Sequence, residues 1–561
     1  MILDVVHSVL ERPLLLVVLL PSVLLAVALV AHLRDPHHLR SYPGPFLASL
    51  TDLWLAYKVW VGDRSPGVHE LHKKHGTFLR IGPNHISIAS PAALGVIYSH
   101  SHPLLKSDFY DGLATFSAPG TFTVRDRVAH ARKRRVVAHL FAPKTVRMFE
   151  GALHKYIGQL VQQWDGMYKN VETALPGTAT AGKAGDMSWI VRDGRVWFDC
   201  MPWLNFLAFD TIGDLAFGSP FGMLVSGKDT ARIAKSLKAA MQTLGSTPSA
   251  TEKPSTIEEE DIPAISSINR RSEFLIAFAS LPAWIRPIVK RLPMASDGMA
   301  ATREIMSMAV TTVSRRVRTL YDGDAEERQR PDFLTKLLEG RDEEGSPLSP
   351  DELSSEAQTL LIAGSDTISN STCAIVYWIA RNPDVQKKLQ AELDAALADA
   401  GEGPIAPVEK TERLLYLNAV IDEGLRVHST VGANLPRVVG PEGVTILGHT
   451  FTEGTVVSVP AYSTHRDENI WGHDAEFFRP ERWLEADKEK RDAMNKAFVP
   501  FSVGPRACVG RNLAKMQLLV NIATVFRLYD IVLENPDLPL PVHDNFIRKP
   551  LNCHVGVKRR S

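Results

Sequence analysis

The most informative part of the chain is residues 501–510, which read Phe-Ser-Val-Gly-Pro-Arg-Ala-Cys-Val-Gly. Two glycines and a proline around a single cysteine are typical of a tight loop. A helical pattern, residues 511–528, begins directly after it. Cys508 therefore precedes a helix N-terminus, where the positive end of the helix dipole and unpaired N–H groups favour a thiolate. We interpret Cys508 as a functional thiol.

The composition around this loop is that of a globular protein. The chain has 561 residues, 45% hydrophobic and 22% charged, and its Lys+Arg and Asp+Glu counts are both 63. With no net charge, a general attraction to nucleic acid is not expected. The other cysteines (Cys200, Cys373, Cys553) are widely spaced without a CxxC pair, which argues against disulfides and structural zinc. We predict that they are small buried hydrophobic residues in a reduced, cytosol-facing protein.

The N-terminus departs from this composition. Residues Leu14 to Leu33 contain no acidic or basic side chain except His32, and as a helix they would span a hydrocarbon core about 30 Å thick. A cleaved signal peptide is the alternative, but the apolar run is too long and lacks a clear cleavage site. Arg34 and Arg40 place the following domain in the cytosol. We predict a membrane anchor over 1–34, a Pro-rich hinge over 35–45 and a catalytic domain over 46–561.

Secondary-structure patterns in the body are mainly helical. Residues 78–89 and 443–460 alternate apolar and polar residues around turns and predict two hairpins. Ser349 followed by Pro350 and Glu352 predicts the start of a long helix, and Asn382-Pro383 starts the next. Residues 176–186 and 246–263 are predicted loops because small, polar and acidic residues dominate them. The predicted fold class is mainly α with small β-sheets.

The cysteine loop resembles that of the cytochrome P450 family. It matches the haem-binding pattern Phe-x-x-Gly-x-Arg-x-Cys-x-Gly at every specified position. The resemblance implies the P450 fold, haem b as cofactor and Cys508 as the axial thiolate to its iron. It also implies that Phe501 packs near the sulfur, that Gly510 lets the backbone lie close to the ring, and that Arg506 pairs with a haem propionate.

A second resemblance concerns a charged network. By itself, Glu423-Gly-Leu-Arg426 indicates no more than a surface ion pair. The family, however, follows Glu-x-x-Arg with a Pro-x-Arg segment whose arginine joins the pair, and Arg482 stands at that place. The resemblance implies that these residues stabilise the core beneath the haem.

A third motif, Ala363-Gly-Ser-Asp-Thr367, falls in the middle of the predicted long helix, where these residue types have poor helix propensity. From the residues alone it could be a kink in which a threonine hydroxyl bonds to a carbonyl. It resembles the family's oxygen-activation motif. That implies room for dioxygen at Ala363 and Gly364, and a proton relay in which Asp366 delivers protons and Thr367 steadies the oxygen.

Further basic residues resemble the family's propionate ligands. His130 and Arg134 lie one helical turn apart, where the family often has Trp-x-x-x-Arg; histidine at the first position is a departure. Arg437 matches the arginine that follows the Glu-x-x-Arg helix. A solvent-exposed basic face is the alternative for this region.

These motifs occur in the family's order, which implies a monooxygenase that receives NADPH-derived electrons from a cytochrome reductase, with cytochrome b5 as a further donor. With the anchor, they imply an endoplasmic reticulum membrane protein in contact with lipid. A haem-thiolate isomerase that needs no electrons is the alternative, which an intact Asp366-Thr367 pair disfavours. A catalytically silent haem sensor is a third reading.

The substrate is suggested by resemblance beyond the shared motifs. Four segments look like the fungal benzoate 4-monooxygenases: 42–56, 68–89, 105–113 and 204–224. This implies conversion of benzoate to 4-hydroxybenzoate, with the carboxylate held away from the iron. Ser429, Thr430 and Asn434 are candidates to hold it, although they could equally satisfy loop backbone. Another small aromatic compound or a fungal secondary metabolite is the alternative substrate.

Overall fold

A computed structural model of the chain describes residues 13–101, 104–173, 180–245, 258–322, 332–341, 345–398, 403 and 405–560. The longer helices are Pro13–Arg34, Arg64–His75, Arg127–Ala138, Glu150–Thr173, Cys200–Phe217, Ala264–Ala279, Ser296–Asp322, Pro350–Arg381, Pro383–Leu397, Leu415–His428 and Arg511–Leu528. The shorter ones are Phe46–Leu50, Leu53–Trp60, Leu94–Ile97, Phe109–Leu113, Pro143–Arg147, Met223–Ser226, Leu237–Gly245, Arg286–Val289, Phe333–Glu339, Val408–Thr411, Ala461–Thr464, Glu468–Trp471, Arg482–Glu485 and Lys488–Ala497. Single 3₁₀ turns are Pro91–Ala93, His139–Phe141 and Pro293–Ala295.

Helix Pro350–Arg381, called the long helix below, is the centre of the core. Its first turn is capped as predicted, because the Ser349 hydroxyl accepts the N–H of Glu352 at 3.2 Å. The helix packs against helices Cys200–Phe217, Ser296–Asp322, Leu415–His428 and Arg511–Leu528. Its middle and C-terminal half are buried, from Ile368 to Ala380 with few breaks. An element enclosed on several sides holds its position firmly, so side chains that it carries are well placed.

The strands form small sheets at the periphery. One five-stranded sheet has the order Phe78–Gly82, His85–Ile88, Val456–Ser458, Arg437–Val438, Leu105–Lys106. The other has the order Tyr529–Leu533, His554–Arg559, Arg195–Asp199, Met187–Arg192, Thr180–Ala184. Two-stranded pairs are Val444–Ile446 with His449–Phe451, Val542–Asp544 with Arg548–Pro550, and Ala231–Ala234 with Glu259–Ile262. The predicted class, mainly α with small sheets, is confirmed.

The predicted hairpins and loops are confirmed only in part. The hairpin at residues 78–89 is present, with Phe78 opposite Ile88. Within 443–460 a hairpin forms as predicted, but Val456–Ser458 leaves it and pairs in parallel with His85–Ile88. The predicted loops are wrong in part. Thr180–Ala184 is a strand that forms a hairpin with the next strand, Met187–Arg192, and Glu259–Ile262 is a strand that pairs with Ala231–Ala234. Residues 176–179 and 246–257 of those loops lie outside the described residues.

The predicted N-terminal helix, Leu14 to Leu33, coincides with helix Pro13–Arg34. Among the helices of the described residues, none combines the length and apolarity needed to cross a membrane. The helix is therefore confirmed, whereas its membrane-spanning role is not supported. The division into 1–34, 35–45 and 46–561 stays a prediction, and residues 1–12 lie outside the described part of the anchor.

The Glu423 network predicted from resemblance is present and fully buried. The Arg426 guanidinium donates to both oxygens of the Glu423 carboxylate at 2.8 Å, and Arg482 Nε donates to Oε1 at 2.9 Å. Trp483 Nε1 and the Arg479 N–H complete the shell of donors. Burial alone would raise the pKa of Glu423, but these donors hold it below its ordinary value. One carboxylate therefore joins helix Leu415–His428 to the chain segment that leads toward Cys508.

We expect Glu423→Gln to be strongly destabilising. The change keeps the shape of the side chain but removes the carboxylate that pairs with the buried Arg426, and it leaves Arg482 with Asp474 alone, at 2.9 Å. Breaking a buried ion pair in this way costs about 3–5 kcal/mol. Denaturant titration followed by tryptophan fluorescence measures the loss. The matched control is Glu409→Gln, whose ion pair with Arg413 leaves both side chains 73% exposed and should change stability little. Equal midpoints for the two variants would contradict the structural role.

Candidate active site

A cavity of about 740 Å³ lies between the long helix and residues 501–510, the cysteine loop. Helix Ala264–Ala279 and the end of the chain near Lys549 contribute further wall. Most of the lining is apolar, with Phe122, Phe206 and Phe546 among the larger side chains. A largely apolar cavity with a few polar groups is the usual form of a small-molecule site.

Backbone hydrogen bonds and one special glycine shape the cysteine loop. The N–H of Cys508 donates to the Phe501 carbonyl at 2.9 Å, and the N–H of Ala507 donates to the Gly504 carbonyl at 3.0 Å. Gly504 has φ +77°, and a Cβ there would lie 1.8 Å from the Tyr98 carbonyl oxygen. No other residue fits this position. The loop is therefore fixed by local geometry, as its sequence predicts.

The loop turns the Cys508 thiol toward the cavity, and its accessible surface lies within that cavity. Burial raises the pKa of Cys508 above its ordinary value, although the Gly510 N–H and the charges of Arg134 and Arg511 lower it. The predicted help from the helix start is therefore present but outweighed by burial. A coordinated metal cation would deprotonate the thiol outright. Phe501 and Gly510 also line the cavity, beside the thiol.

Basic side chains gather at the cavity wall beside the loop. His130, Arg134, Arg506 and Lys106 line the wall, while Arg437 lies behind it and donates to the Tyr110 hydroxyl at 3.2 Å. Arg134 also donates to the Ala507 carbonyl at 2.6 Å, and Arg506 to the carbonyls of residues 124–126. The structure thus brings together the basic residues that the sequence analysis named as propionate ligands, with Arg437 outside the cavity lining.

These basic groups repel one another. Burial and the charges of Arg437 and Arg506 lower the pKa of Lys106 well below its ordinary value. Burial and four cationic neighbours lower the pKa of His130 to about 3. Such a concentration of positive charge favours an anionic occupant with more than one carboxylate. Lys106 was missed by sequence reasoning, because a single lysine in a two-residue strand carries no recognisable pattern.

The oxygen-activation motif faces the same cavity. Ala363, Gly364, Asp366 and Thr367 line it, while the intervening Ser365 is buried. The Thr367 hydroxyl donates to the Ala363 carbonyl at 2.7 Å, which is the hydroxyl-to-carbonyl bond considered from the sequence. A Cβ at Gly364 would lie 2.5 Å from Ile212 Cδ1. Gly364 therefore also serves close packing between two helices.

Asp366 is held by a lysine from the far end of the chain. Lys549 Nζ lies 2.9 Å from Asp366 Oδ1 and also donates to the side-chain oxygen of Asn269. This bridge connects the long helix, helix Ala264–Ala279 and the strand Arg548–Pro550 on one wall. Sequence reasoning missed Lys549, which lies 183 residues from Asp366 and has no motif around it.

The residues predicted to hold a substrate carboxylate are already satisfied. The Ser429 hydroxyl donates to the Arg426 carbonyl at 2.7 Å, and the Asn434 amide donates to Ser87 and Ser458. Neither of these two residues lines the cavity. Thr430 does, but its hydroxyl is paired with Ser371 at 2.7 Å. The alternative interpretation, that such residues satisfy loop backbone, fits Ser429, whereas Asn434 binds the side chains of two distant segments.

The remaining cysteines are buried as predicted, but they are not isolated. The sulfurs of Cys200, Cys373 and Cys553 lie within 4.8 Å of one another, and all three thiols are free. These three ligand atoms could hold a thiophilic metal ion. The absence of a CxxC pair therefore did not show that the cysteines lie apart, because three distant segments supply one sulfur each.

Comparison with known proteins agrees with this geometry. The sequence model of the Cytochrome P450 family matches residues 53–557. Benzoate 4-monooxygenase of Aspergillus niger is 42% identical over 527 residues, 93% of each chain. Cytochrome P450 monooxygenase gsfF of Penicillium aethiopicum is 28% identical over 94% of this chain and 95% of its own. Tryprostatin B 6-hydroxylase of Neosartorya fischeri is 29% identical over 88% and 77%.

The family match covers most of the chain, and the 42% identical relative is aligned along nearly its whole length. Both agree with a cavity that has a loop cysteine on one side and an acid–alcohol pair on the other. The chain is therefore a member of the cytochrome P450 family and a monooxygenase.

Proposed function

We propose that the protein hydroxylates a small aromatic carboxylate, benzoate to 4-hydroxybenzoate, with haem b bound through Cys508. The observation that carries the proposal is the arrangement of one cavity: the Cys508 thiol on one side, Asp366 and Thr367 on another, and basic residues along the wall. The 42% identical relative named as a benzoate 4-monooxygenase supports the substrate.

The residues present fit haem. Arg134, Arg506 and the newly identified Lys106 would hold the propionates by charge, since they are crowded together beside the loop. His130, whose pKa of about 3 makes it a neutral imidazole, would donate an N–H to a propionate. Arg437 would act from behind by its charge, and Ala363, Gly364, Phe501 and Gly510 would border the ring. When bound, haem supplies the iron chemistry that inserts one oxygen atom of O₂ into the substrate. Electrons come from NADPH through a cytochrome reductase, with cytochrome b5 as a further donor.

Side chains of the protein would supply the protons for the reaction. The Asp366 carboxylate can accept and release a proton at Oδ1 once it separates from Lys549, which lies 2.9 Å away. The Thr367 hydroxyl can pass a proton on once its single hydrogen turns away from the Ala363 carbonyl. This pair favours oxygen activation over a haem-thiolate isomerase, which would need no proton relay of this kind. Oxidation of another small aromatic compound or of a fungal secondary metabolite is the second candidate, and the 29% identical relative named as a tryprostatin B 6-hydroxylase supports it.

Substrate titration tests the proposal directly. Benzoate should shift the spin state of the purified haem protein, and turnover with a reductase and NADPH should give 4-hydroxybenzoate. Without a spin-state shift and without this product, benzoate is not the substrate.

Cys508→Ala is expected to remove the red-shifted absorption band of the reduced carbon monoxide complex, because that band requires an axial thiolate. Cys553→Ala is the matched control, since this buried thiol does not line the cavity. Retention of the band in purified Cys508→Ala would contradict the ligand assignment.

Thr367→Ala is expected to keep haem and substrate binding but to divert electrons to hydrogen peroxide. Loss of one positioned proton donor typically costs about 10²-fold or more in the step that it serves. The measurement is product and peroxide formed per NADPH consumed. Ser365→Ala is the control, because its hydroxyl also donates to a carbonyl four residues back, at 2.7 Å, but does not line the cavity. An unchanged product yield in Thr367→Ala would exclude the relay.

We also propose that helix Pro13–Arg34 attaches the protein to the endoplasmic reticulum membrane, with the catalytic domain in the cytosol. Large apolar side chains between residues 23 and 33 are exposed, including Val27 at 61% and Leu33 at 62%. Exposed apolar surface of this kind is costly in water. Membrane fractionation of the full chain and of a form without residues 1–34 is the test; equal release from membranes would contradict attachment through this helix.

A further inference from the structure

Arg271 is a buried cation on the cavity wall. It lies on helix Ala264–Ala279, it lines the cavity, and only 9% of its surface is exposed. Neither the cysteine loop nor any motif of the sequence includes it. Burial of a guanidinium is costly unless an anion or several acceptors replace the lost water.

No such partner is found for Arg271 within the described part of the chain. Its Nε has no hydrogen-bond acceptor there, and no carboxylate lies within ion-pair distance. Burial alone lowers the pKa of Arg271 to about 10, without an opposing contribution from any acidic group. The guanidinium is therefore held in the cavity wall, and no described residue compensates its charge.

Neighbouring arginines show how the fold treats such residues elsewhere. Arg270, the adjacent residue on the same helix, lies 2.7 Å from Asp297 and 2.8 Å from Glu304. Arg286, which is also buried, lies 3.0 Å from Asp108. Arg271 differs from both in facing the cavity rather than an acidic side chain.

The other cations of the cavity are already engaged. Lys549 lies 2.9 Å from Asp366 and donates to Asn269. Arg134, Arg506 and Lys106 are grouped beside the cysteine loop, where haem propionates would neutralise them. Among the cavity-lining residues that the structure describes, Arg271 is thus the cation available to an anionic substrate.

We infer that Arg271 binds the carboxylate of the substrate and thereby fixes which ring carbon faces the haem. The inference rests on the proposed function and adds the residue that selects the substrate class. A guanidinium can donate two parallel hydrogen bonds to one carboxylate, which fixes orientation as well as charge. A ring held at its carboxylate end presents the opposite, para carbon to the oxidant. Ser272 and Asn269 line the same wall and can supply further polar contacts.

The test compares ligands and variants in the haem-loaded full chain. Dissociation constants for benzoate and benzamide are measured from the spin-state shift in wild type, Arg271→Gln, Arg271→Lys and the control Arg270→Gln. Arg271→Gln should weaken benzoate binding by roughly 30-fold or more, because one partner of a buried charge pair is lost. Benzamide binding should change far less. Arg271→Lys should bind benzoate with intermediate affinity and give a lower share of 4-hydroxybenzoate, since lysine keeps the charge but not the paired donors.

Arg270→Gln should leave the preference for benzoate over benzamide unchanged. The carbon monoxide band and haem content show whether each variant is folded. If Arg271→Gln does not fold, the comparison of Arg271→Lys with wild type, for benzoate against benzamide, still tests whether Arg271 binds the carboxylate. Wild-type binding of benzoate together with equal binding in the variants would overturn the anchor and leave the proposed function standing. Failure of wild type to bind benzoate would overturn the proposed function, and the anchor with it.

Discussion

A buried charge must find a counter-charge, and this constraint organises the molecule. Burying an unpaired guanidinium or carboxylate costs several kcal/mol. The fold meets the constraint in the buried core, where Glu423 is shared by Arg426 and Arg482. At the cavity wall it does not, because Lys106 and His130 are crowded by other cations. The chain therefore completes its own electrostatics in the core and leaves them incomplete where haem and substrate belong.

The cations that lack a counter-charge form two groups on different parts of one cavity. The cations beside the cysteine loop suit the carboxylates of a haem, whereas Arg271 on helix Ala264–Ala279 suits a smaller anion. Asp366 lies with the long helix and is held by Lys549. Through Lys549 and Asn269, Asp366 shares one wall with the helix that carries Arg271, whereas the other cations lie beside the cysteine loop. The proposed anchor for an acidic substrate is therefore separate from the groups that would hold the propionates. The positions of the charged side chains therefore distinguish the part of the cavity beside the cysteine loop from the part beside Arg271.

The long helix shows how polar residues are accommodated in a buried segment. The hydroxyls of Ser365, Thr367 and Ser371 each donate to the carbonyl four residues earlier at 2.7 Å. These bonds satisfy groups that would be costly in an apolar core, and packing offsets their poor helix propensity. The helix remains continuous from Pro350 to Arg381 and carries Asp366 and Thr367 to the cavity. The low helix propensity of residues 363–367 therefore does not interrupt the helix that carries the site residues.

What the sequence determined by itself was local. The cysteine loop, the Ser349 cap and the hairpin at residues 78–89 follow from neighbouring residues, since turn geometry and capping act over a few positions. The resemblance to a known family located Glu423, Asp366 and the basic residues, because each belongs to a short recognisable motif.

Other residues belong to no such motif. They are Arg271, Lys106, Lys549 and the cluster of Cys200, Cys373 and Cys553. Their significance depends on which side chains from distant segments meet, and on which charges find no partner. Likewise, Ser429 and Asn434 lost their predicted role because distant residues and their own helix end satisfy them. Only the tertiary structure decides such pairings, because burial and electrostatic compensation arise between segments far apart in the chain.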